Sequence, residues 1–252
     1  MMLRVLPWSG QETARNMAGV AMELGRVLAT AGAQVISGLA LGIDVAAHQG
    51  AVLAGGTTFA VLAGGVDLCY PKQNFNTYVD IMRNGGVISE FPDNTLTRPG
   101  MFPLRNRIIS GLCDAVIIVE AGMKSGSLIT AAQALEQNRQ VYAVPGRIGD
   151  GNSEGCNHLI WQGAQIVCSY DDLLAELDLD ISDSTKTSEK NILLASDEKM
   201  LYSQLLDFSP KSLETLIKET GMSQMQVFQA LLTLELKGLI KEISKNFYIR
   251  IL

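Results

Sequence analysis

Apolar residues along this chain follow two different periods. Short, nearly continuous apolar runs stand at 34–37, 58–62, 86–89, 115–119, 141–144 and 166–168. Between them, at 12–30, 45–54, 74–83, 104–111, 127–137 and 157–163, apolar residues recur every three or four positions. Runs of the first kind read as strands buried on both faces, and the second spacing reads as amphipathic helix. The alternation predicts an α/β fold: a Rossmann-like, mostly parallel sheet with helices on both faces and right-handed crossovers. Ala31-Gly32 is the stop of the first helix, and Asp44 is the expected N-cap of the helix after strand 34–37.

The pattern changes near residue 178. Residues 178–196 are rich in Asp, Ser, Thr and Lys and read as an acidic linker. Helices are predicted at 197–207, 212–220 and 223–237, with a turn at Gly221-Met222 and a cap at Ser223. Two short strands around Ser244-Lys245-Asn246 follow. That order is a small C-terminal winged-helix domain, so the expected domains are 1–177 and 197–252, joined by 178–196. The third helix carries Ser223, Gln224, Gln226, Gln229 and Thr233 as polar positions, with no arginine. Phosphate anchoring needs cations, so a protein-contact or spacer role is favoured over duplex reading.

Composition narrows the chemistry. No apolar run approaches the roughly 18 residues of a membrane span, and the first ten residues lack the pattern of a signal peptide. The expectation is a cytoplasmic protein with no membrane partner. Cys69, Cys113, Cys156 and Cys168 form no CxxC, and His48 and His158 lack metal partners at ligand spacing, so no metal and no cofactor is expected. Cys113 and Cys168 are read as buried thiols.

The net charge of −6 is unevenly spread. Residues 1–170 carry 11 basic and 12 acidic side chains, whereas 171–200 carry 3 and 9. Within 98–147, Arg98, Arg105, Arg107, Lys124, Arg139 and Arg147 meet Asp114, Glu120 and Glu136, a local +3. A basic face is thus compatible with an acidic chain.

Glycine-rich loops follow the strand ends: Gly38 and Gly42 after 34–37, Gly64 and Gly65 after 58–62, Lys124-Ser125-Gly126-Ser127 after 115–119, and Pro145-Gly146 after 141–144. Ligands of parallel sheets bind beyond the carboxyl ends of the strands, and such loops let backbone N–H groups approach an anion. Each glycine alone also fits an ordinary tight turn. Four such loops on one edge point to a phosphate-rich ligand. Lys124 with its Ser-Gly-Ser loop brings ammonium, hydroxyls and N–H groups to one place. Arg105 and Arg107 diverge by about 200° on a helix and cannot both face one ligand; the alternative reading for either is an internal ion pair with Glu90 or Glu120. Asp67 braces its loop, and Tyr70 and Phe102 are either core or base-stacking groups, with core preferred.

The series Ser37-Gly38-Leu39-Ala40-Leu41-Gly42-Ile43-Asp44, Gly64-Gly65-Val66-Asp67, Tyr70-Pro71-Lys72, Phe102-Pro103-Leu104-Arg105-Asn106-Arg107-Ile108-Ile109-Ser110-Gly111-Leu112, Lys124-Ser125-Gly126-Ser127-Leu128-Ile129-Thr130-Ala131 and Gly155-Cys156-Asn157-His158-Leu159-Ile160 resembles the DNA-processing protein A family (DprA, also called Smf). The likeness covers roughly 30–175 in order, and the winged helix fits as well. The resemblance implies a protein of natural transformation, without catalytic activity, that binds and protects single-stranded DNA, forms a homodimer and helps load the recombinase RecA. It places DNA contacts at Lys72, around Arg98 and on the loop of Lys124, Ser125, Gly126 and Ser127, and the glycine-loop and charge readings add Gly38, Gly42, Arg105, Asn106, Arg107 and Gly146. It places the dimer contact on 157–166, with Asn157, Ile160 and Ile166. Three departures stand out. Ser9-Gly10-Gln11 occupies the place of a family Gly-Ser-Arg, after a first strand reduced to Leu3-Arg4-Val5-Leu6. The usual N-terminal extension is not seen. Leu41 stands where many members have Arg or Lys. Two other classes are carried: a nucleotide-processing enzyme like the LOG phosphoribohydrolases, and an interaction scaffold without DNA binding. The former lacks its PGGxGTxxE loop here, since Gly64-Gly65 runs into Val66-Asp67.

Overall fold

The computed structural model describes residues 2–3, 11–179, 195–205, 211–237, 239–244 and 246–250. The chain divides into two compact units, Met1–Ser182 and Asp183–Leu252. Most of the expected linker, and Ser9-Gly10 with the residues before it back to Arg4, lie outside the described residues.

The first unit is a seven-stranded parallel sheet with helices on both faces. Its elements are β1 (Met2–Leu3), α1 (Gln11–Thr30), β2 (Val35–Ser37), α2 (Ile43–Leu53), β3 (Thr58–Val61), α3 (Phe75–Asn84), β4 (Gly85–Ile88), α4 (Met101–Leu112), β5 (Ala115–Ile118), α5 (Gly126–Glu136), β6 (Gln140–Ala143), α6 (Glu154–Trp161), β7 (Gln165–Ile166) and α7 (Tyr170–Glu176). The strand order is β4-β3-β2-β1-β5-β6-β7. The chain therefore winds outwards to one side from β1 and, after β4, returns to start again at β5. That reversal puts the topological switch point between β1 and β5, where ligand crevices of such sheets form.

Alternation along the strands divides the core. Val35, Ala115, Ile117, Val119 and Tyr142 pack on one face with α1, α2 and α7. Ile36, Val61, Val116, Ile118, Val141 and Ala143 pack on the other with α4, α5 and α6. Because both faces are covered, the strands read as continuous apolar runs. Helix α7 was not foreseen. It begins at Ser169, whose hydroxyl accepts from Asp172 N–H, and it buries Leu173 and Leu174 beneath an otherwise acidic surface.

The second unit holds α8 (Ser196–Gln204), β8 (Lys211–Ser212), α9 (Leu213–Thr220), α10 (Gln224–Leu236), β9 (Ile240–Ser244) and β10 (Phe247–Arg250). Its antiparallel sheet runs β8-β10-β9, which is winged-helix architecture. Leu201, Leu216, Val227, Leu231, Leu234 and Tyr248 form its core. Ser223 caps α10 as expected, accepting from Gln226 N–H while Gln226 Oε1 accepts from Ser223 N–H. Lys237 Nζ donates to Glu198 at 2.6 Å, joining the end of α10 to α8. Burial alone would raise the Glu198 pKa, but Lys237 and the Ala195 N–H outweigh it and hold the carboxyl below its usual value. Strand β8 was not anticipated; two residues give too short a pattern to read.

Candidate nucleic-acid interface

The loops after β2, β3, β4, β5 and β6 gather at the carboxyl edge of the first unit. Lys124 is exposed in the loop after β5, at the switch point, beside exposed Met123. Ser125 is the N-cap of α5 and accepts from Ser127 N–H at 3.2 Å, while Gly126 opens the helix half-exposed. Ser127 is fully buried, so its hydroxyl is not open to a solvent-borne phosphate as expected from the sequence. Lys72, in the 3-10 turn Lys72–Asn74, and Arg98, in the loop after β4, are exposed on the same edge. Arg147, after β6, is exposed there too; the sequence reading counted its charge without placing it in the site.

Arg105 and Asn106 are corrected. Arg105 is only 1% exposed. Its guanidinium donates to Gly38 O at 2.8 Å and to Val61 O, and lies 5.9 Å from the Phe102 ring centre. These carbonyls close β3 and follow β2, where parallel strands run out of ladder partners, and a buried carbonyl needs a donor. Arg105 supplies it across the edge of the sheet and is a positioning residue. Asn106 is equally buried, and its Oδ1 accepts from Arg105 Nε at 3.3 Å. Arg107 points the other way, as the helical angle requires, and is exposed in an ion pair with Glu90.

The first glycine loop is held by protein groups. Asp44 is not the N-cap of α2; Gly42 stands there, at φ +87°. The Asp44 carboxylate is fully buried and reaches back to accept from Gly38 N–H at 3.1 Å and Ala40 N–H at 3.2 Å. A side chain on Gly38 would meet the Arg105 guanidinium at 2.5 Å. Gly38 is therefore small because Arg105 packs on it, and its N–H is not offered to a phosphate. Gly146 is likewise engaged internally: it donates to Asn157 Oδ1 and accepts from Asn157 Nδ2, each at 3.1 Å. Asp67 braces as expected, accepting from Asn94 N–H at 2.8 Å.

Two expectations of burial also change. Tyr70 is half exposed, its ring 6.1 Å from that of Phe102, which is itself partly exposed. Tyr70 is thus not the core residue preferred from the sequence. Cys168 is exposed, whereas Cys113 is buried. The Asn157 side-chain amide is engaged with Gly146 of its own chain. Ile160 packs on the core beneath β5 and β6, and Ile166 is 44% exposed.

Glu120, just past β5, is buried, and burial raises its pKa despite a hydrogen bond from the Asn152 side chain. Nearby Cys156 has its thiol pushed up to about 12, chiefly by burial, so it is no nucleophile at neutral pH. Among the described residues no group of three His, Cys, Asp or Glu converges as a metal site, and no helix is long and apolar enough to cross a membrane.

Comparison with known proteins agrees with this architecture. Residues 11–178 match the family model for DNA recombination-mediator protein A, and 185–244 match that for the DprA winged helix domain. The chain is 49% identical over 144 residues to DNA processing protein DprA of Streptococcus pneumoniae, covering 57% of this chain and 51% of that one. It is 36% identical over 228 residues to protein Smf of Escherichia coli, covering 87% and 60%. The chain thus spans a little over half the length of these relatives. The solved structure of DNA processing protein A from S. pneumoniae aligns with TM-score 0.60 at 41% identity, over 69% of this chain and 60% of that one. The Helicobacter pylori protein, solved for its single-stranded DNA binding mode, aligns with TM-score 0.63 at 28% identity, over 71% and 80%. With two thirds of the sequence inside the first family model and the winged helix behind it, the chain belongs to the DNA recombination-mediator protein A (DprA/Smf) family.

Proposed function

We propose that the first unit binds single-stranded DNA along the carboxyl edge of its sheet, as a recombination mediator of natural transformation that protects the strand and helps load RecA. It acts by binding rather than by catalysis, and as a homodimer. The observation that carries this reading is Lys124, exposed at the switch point on the loop that opens α5. Lys72 and Arg98 extend the cationic edge, and Tyr70 with Phe102 supplies a platform for a base. A cationic track with stacking rings is the usual means of holding a single strand without reading duplex grooves. Gly38, Gly42, Arg105, Asn106 and Gly146 serve as the frame beneath it.

The test is a titration of single- and double-stranded oligonucleotides at several salt concentrations. Single strands are expected to bind preferentially, with log affinity falling against log salt at a slope of about −0.7 per phosphate contact. Lys124→Glu should lower affinity at least tenfold, or roughly 1.4 kcal/mol. Equal affinity for duplex, or a Lys124→Glu titration that overlays the wild type, would overturn the reading.

A further inference from the structure

The segment that carries Arg98 rests on the loop after β3. Residues 89–100 join β4 to α4 without helix or strand, and Asn94, Leu96 and Arg98 in it are exposed. This strap passes over Gly64-Gly65. Gly65 N–H donates to Thr95 O at 2.9 Å, and Ser89 Oγ donates to Gly64 O at 2.6 Å. A Cβ on Gly64 would stand 2.6 Å from Thr97 Oγ1 and 2.7 Å from Thr95 O, and one on Gly65 would stand 2.8 Å from Pro92 O. The two glycines are therefore small because the strap lies on them. At its crest Asn94 takes φ +61°, and Thr95 N–H closes a turn onto Pro92 O at 3.3 Å. The Asp67 carboxylate, exposed on the β3 loop, accepts from Asn94 N–H at 2.8 Å and ties that crest down. At the other end Met101 N–H donates to Arg98 O at 3.0 Å where α4 begins. Arg98 is thus held between two anchors, Asn94 and the first turn of α4.

We infer that Asp67 is a positioning residue for strand binding: by holding the strap at Asn94 it sets Arg98 on the carboxyl edge, where the guanidinium meets a phosphate. This rests on the reading of that edge as the track for a single strand. A guanidinium on a loop with one loose end spreads its charge over many positions and loses entropy when a phosphate fixes it; the tether removes part of that loss before binding. Charge separates this role from a general electrostatic one. An exposed carboxylate repels phosphates within a Debye length, about 10 Å at 0.1 M salt. If Asp67 acted through its charge alone, its removal would strengthen binding to a polyanion. Acting through Arg98, its removal weakens binding although a repulsion is lost. The two roles predict opposite signs.

Titrations of the full chain with a single-stranded oligonucleotide at several salt concentrations test the inference. Arg98→Ala is expected to lower affinity about fivefold and to flatten the slope of log affinity against log salt by about 0.7, the share of one phosphate contact. Asp67→Ala should reproduce both changes with circular dichroism like that of the wild type. Asp67→Asn keeps an Oδ1 acceptor for Asn94 N–H and drops the charge, so it should bind at least as tightly as the wild type. Asp67→Ala combined with Arg98→Ala should bind no more weakly than Arg98→Ala alone. An Asp67→Ala chain that binds as tightly as the wild type, that weakens the Arg98→Ala chain further, or that loses its fold overturns the inference. Lys124→Glu keeps its failure apart from that of the edge itself. If Lys124→Glu weakens binding and Asp67→Ala does not, the edge remains the track and the role of Asp67 falls. If neither changes binding, both fall.

Discussion

His48 is fully buried, with Nδ1 2.7 Å from Thr58 Oγ1. Thr58 already donates its hydroxyl hydrogen to Val35 O at 2.8 Å. The ring proton must therefore sit on Nδ1 and point at Thr58, leaving Nε2 bare and without a hydrogen-bond partner. Burial, and secondarily the Arg105 cation, lower the pKa from 6.5 to about 3. Between these two values the unfolded chain binds a proton that the folded chain refuses. The stabilisation is therefore complete above pH 6.5 and is lost as pH falls, by up to roughly 1.4 kcal/mol per unit down to about pH 3. Asparagine reproduces the Nδ1 donor without a titrating ring. His48→Asn should lower stability at pH 7 yet flatten its decline between pH 6.5 and 5, in urea unfolding at each pH. A variant curve parallel to the wild type would remove His48 from the acid response. At this same scale the sequence misled over Asp44, Arg105 and Asn106. Charged and amide side chains between apolar runs are ordinarily solvent-facing. Only the packed structure reveals the unfilled backbone donors and acceptors at the strand ends that Asp44 and Arg105 answer.

Between elements, the closest packing is that of α1 on α2. A Cβ on Gly50 would collide with the Met22 carbonyl, and one on Gly25 with that of Ala47. The backbones approach through these two glycines, while Ala21, Leu24, Val27 and Leu28 bury the rest of the seam. In an exposed helix Gly→Ala gains up to about 1 kcal/mol through propensity. Here the overlap is with backbone, which cannot rotate away, so Gly50→Ala should instead lose about 1–3 kcal/mol through forced separation of the helices. A shift of the urea midpoint to higher concentration would show that the contact is loose. Long periodic elements such as α1, α4 and α10 were legible because burial on one face imposes a spacing. β5 was legible because parallel strands are apolar on both faces. Helix α7 was hidden by its acids: two buried leucines are too few to set a period. The reading of the Gly38 and Gly146 loops as phosphate cradles erred for a related reason. Glycine marks close approach, but sequence does not say whether protein or ligand approaches.

At the scale of the whole molecule, the proposed homodimer needs a contact surface, and the edge of the sheet offers one. β7 is the last strand of the order, and Gln165 and Ile166 are both exposed. Trp161, at the end of α6, is 80% exposed and stacks on His158 with ring centres 5.4 Å apart. An unblunted strand edge flanked by an exposed indole suits a two-fold contact. Ile160 is half-buried against the core, so Ile160→Arg should cost stability as well as association and is the poorer test of the contact. Ile166→Lys instead places its charge in solvent and should leave circular dichroism unchanged. It should raise the dimer Kd at least tenfold in sedimentation. A dimer that tolerates Ile166→Lys without loss of affinity would place the two-fold axis elsewhere on the first unit.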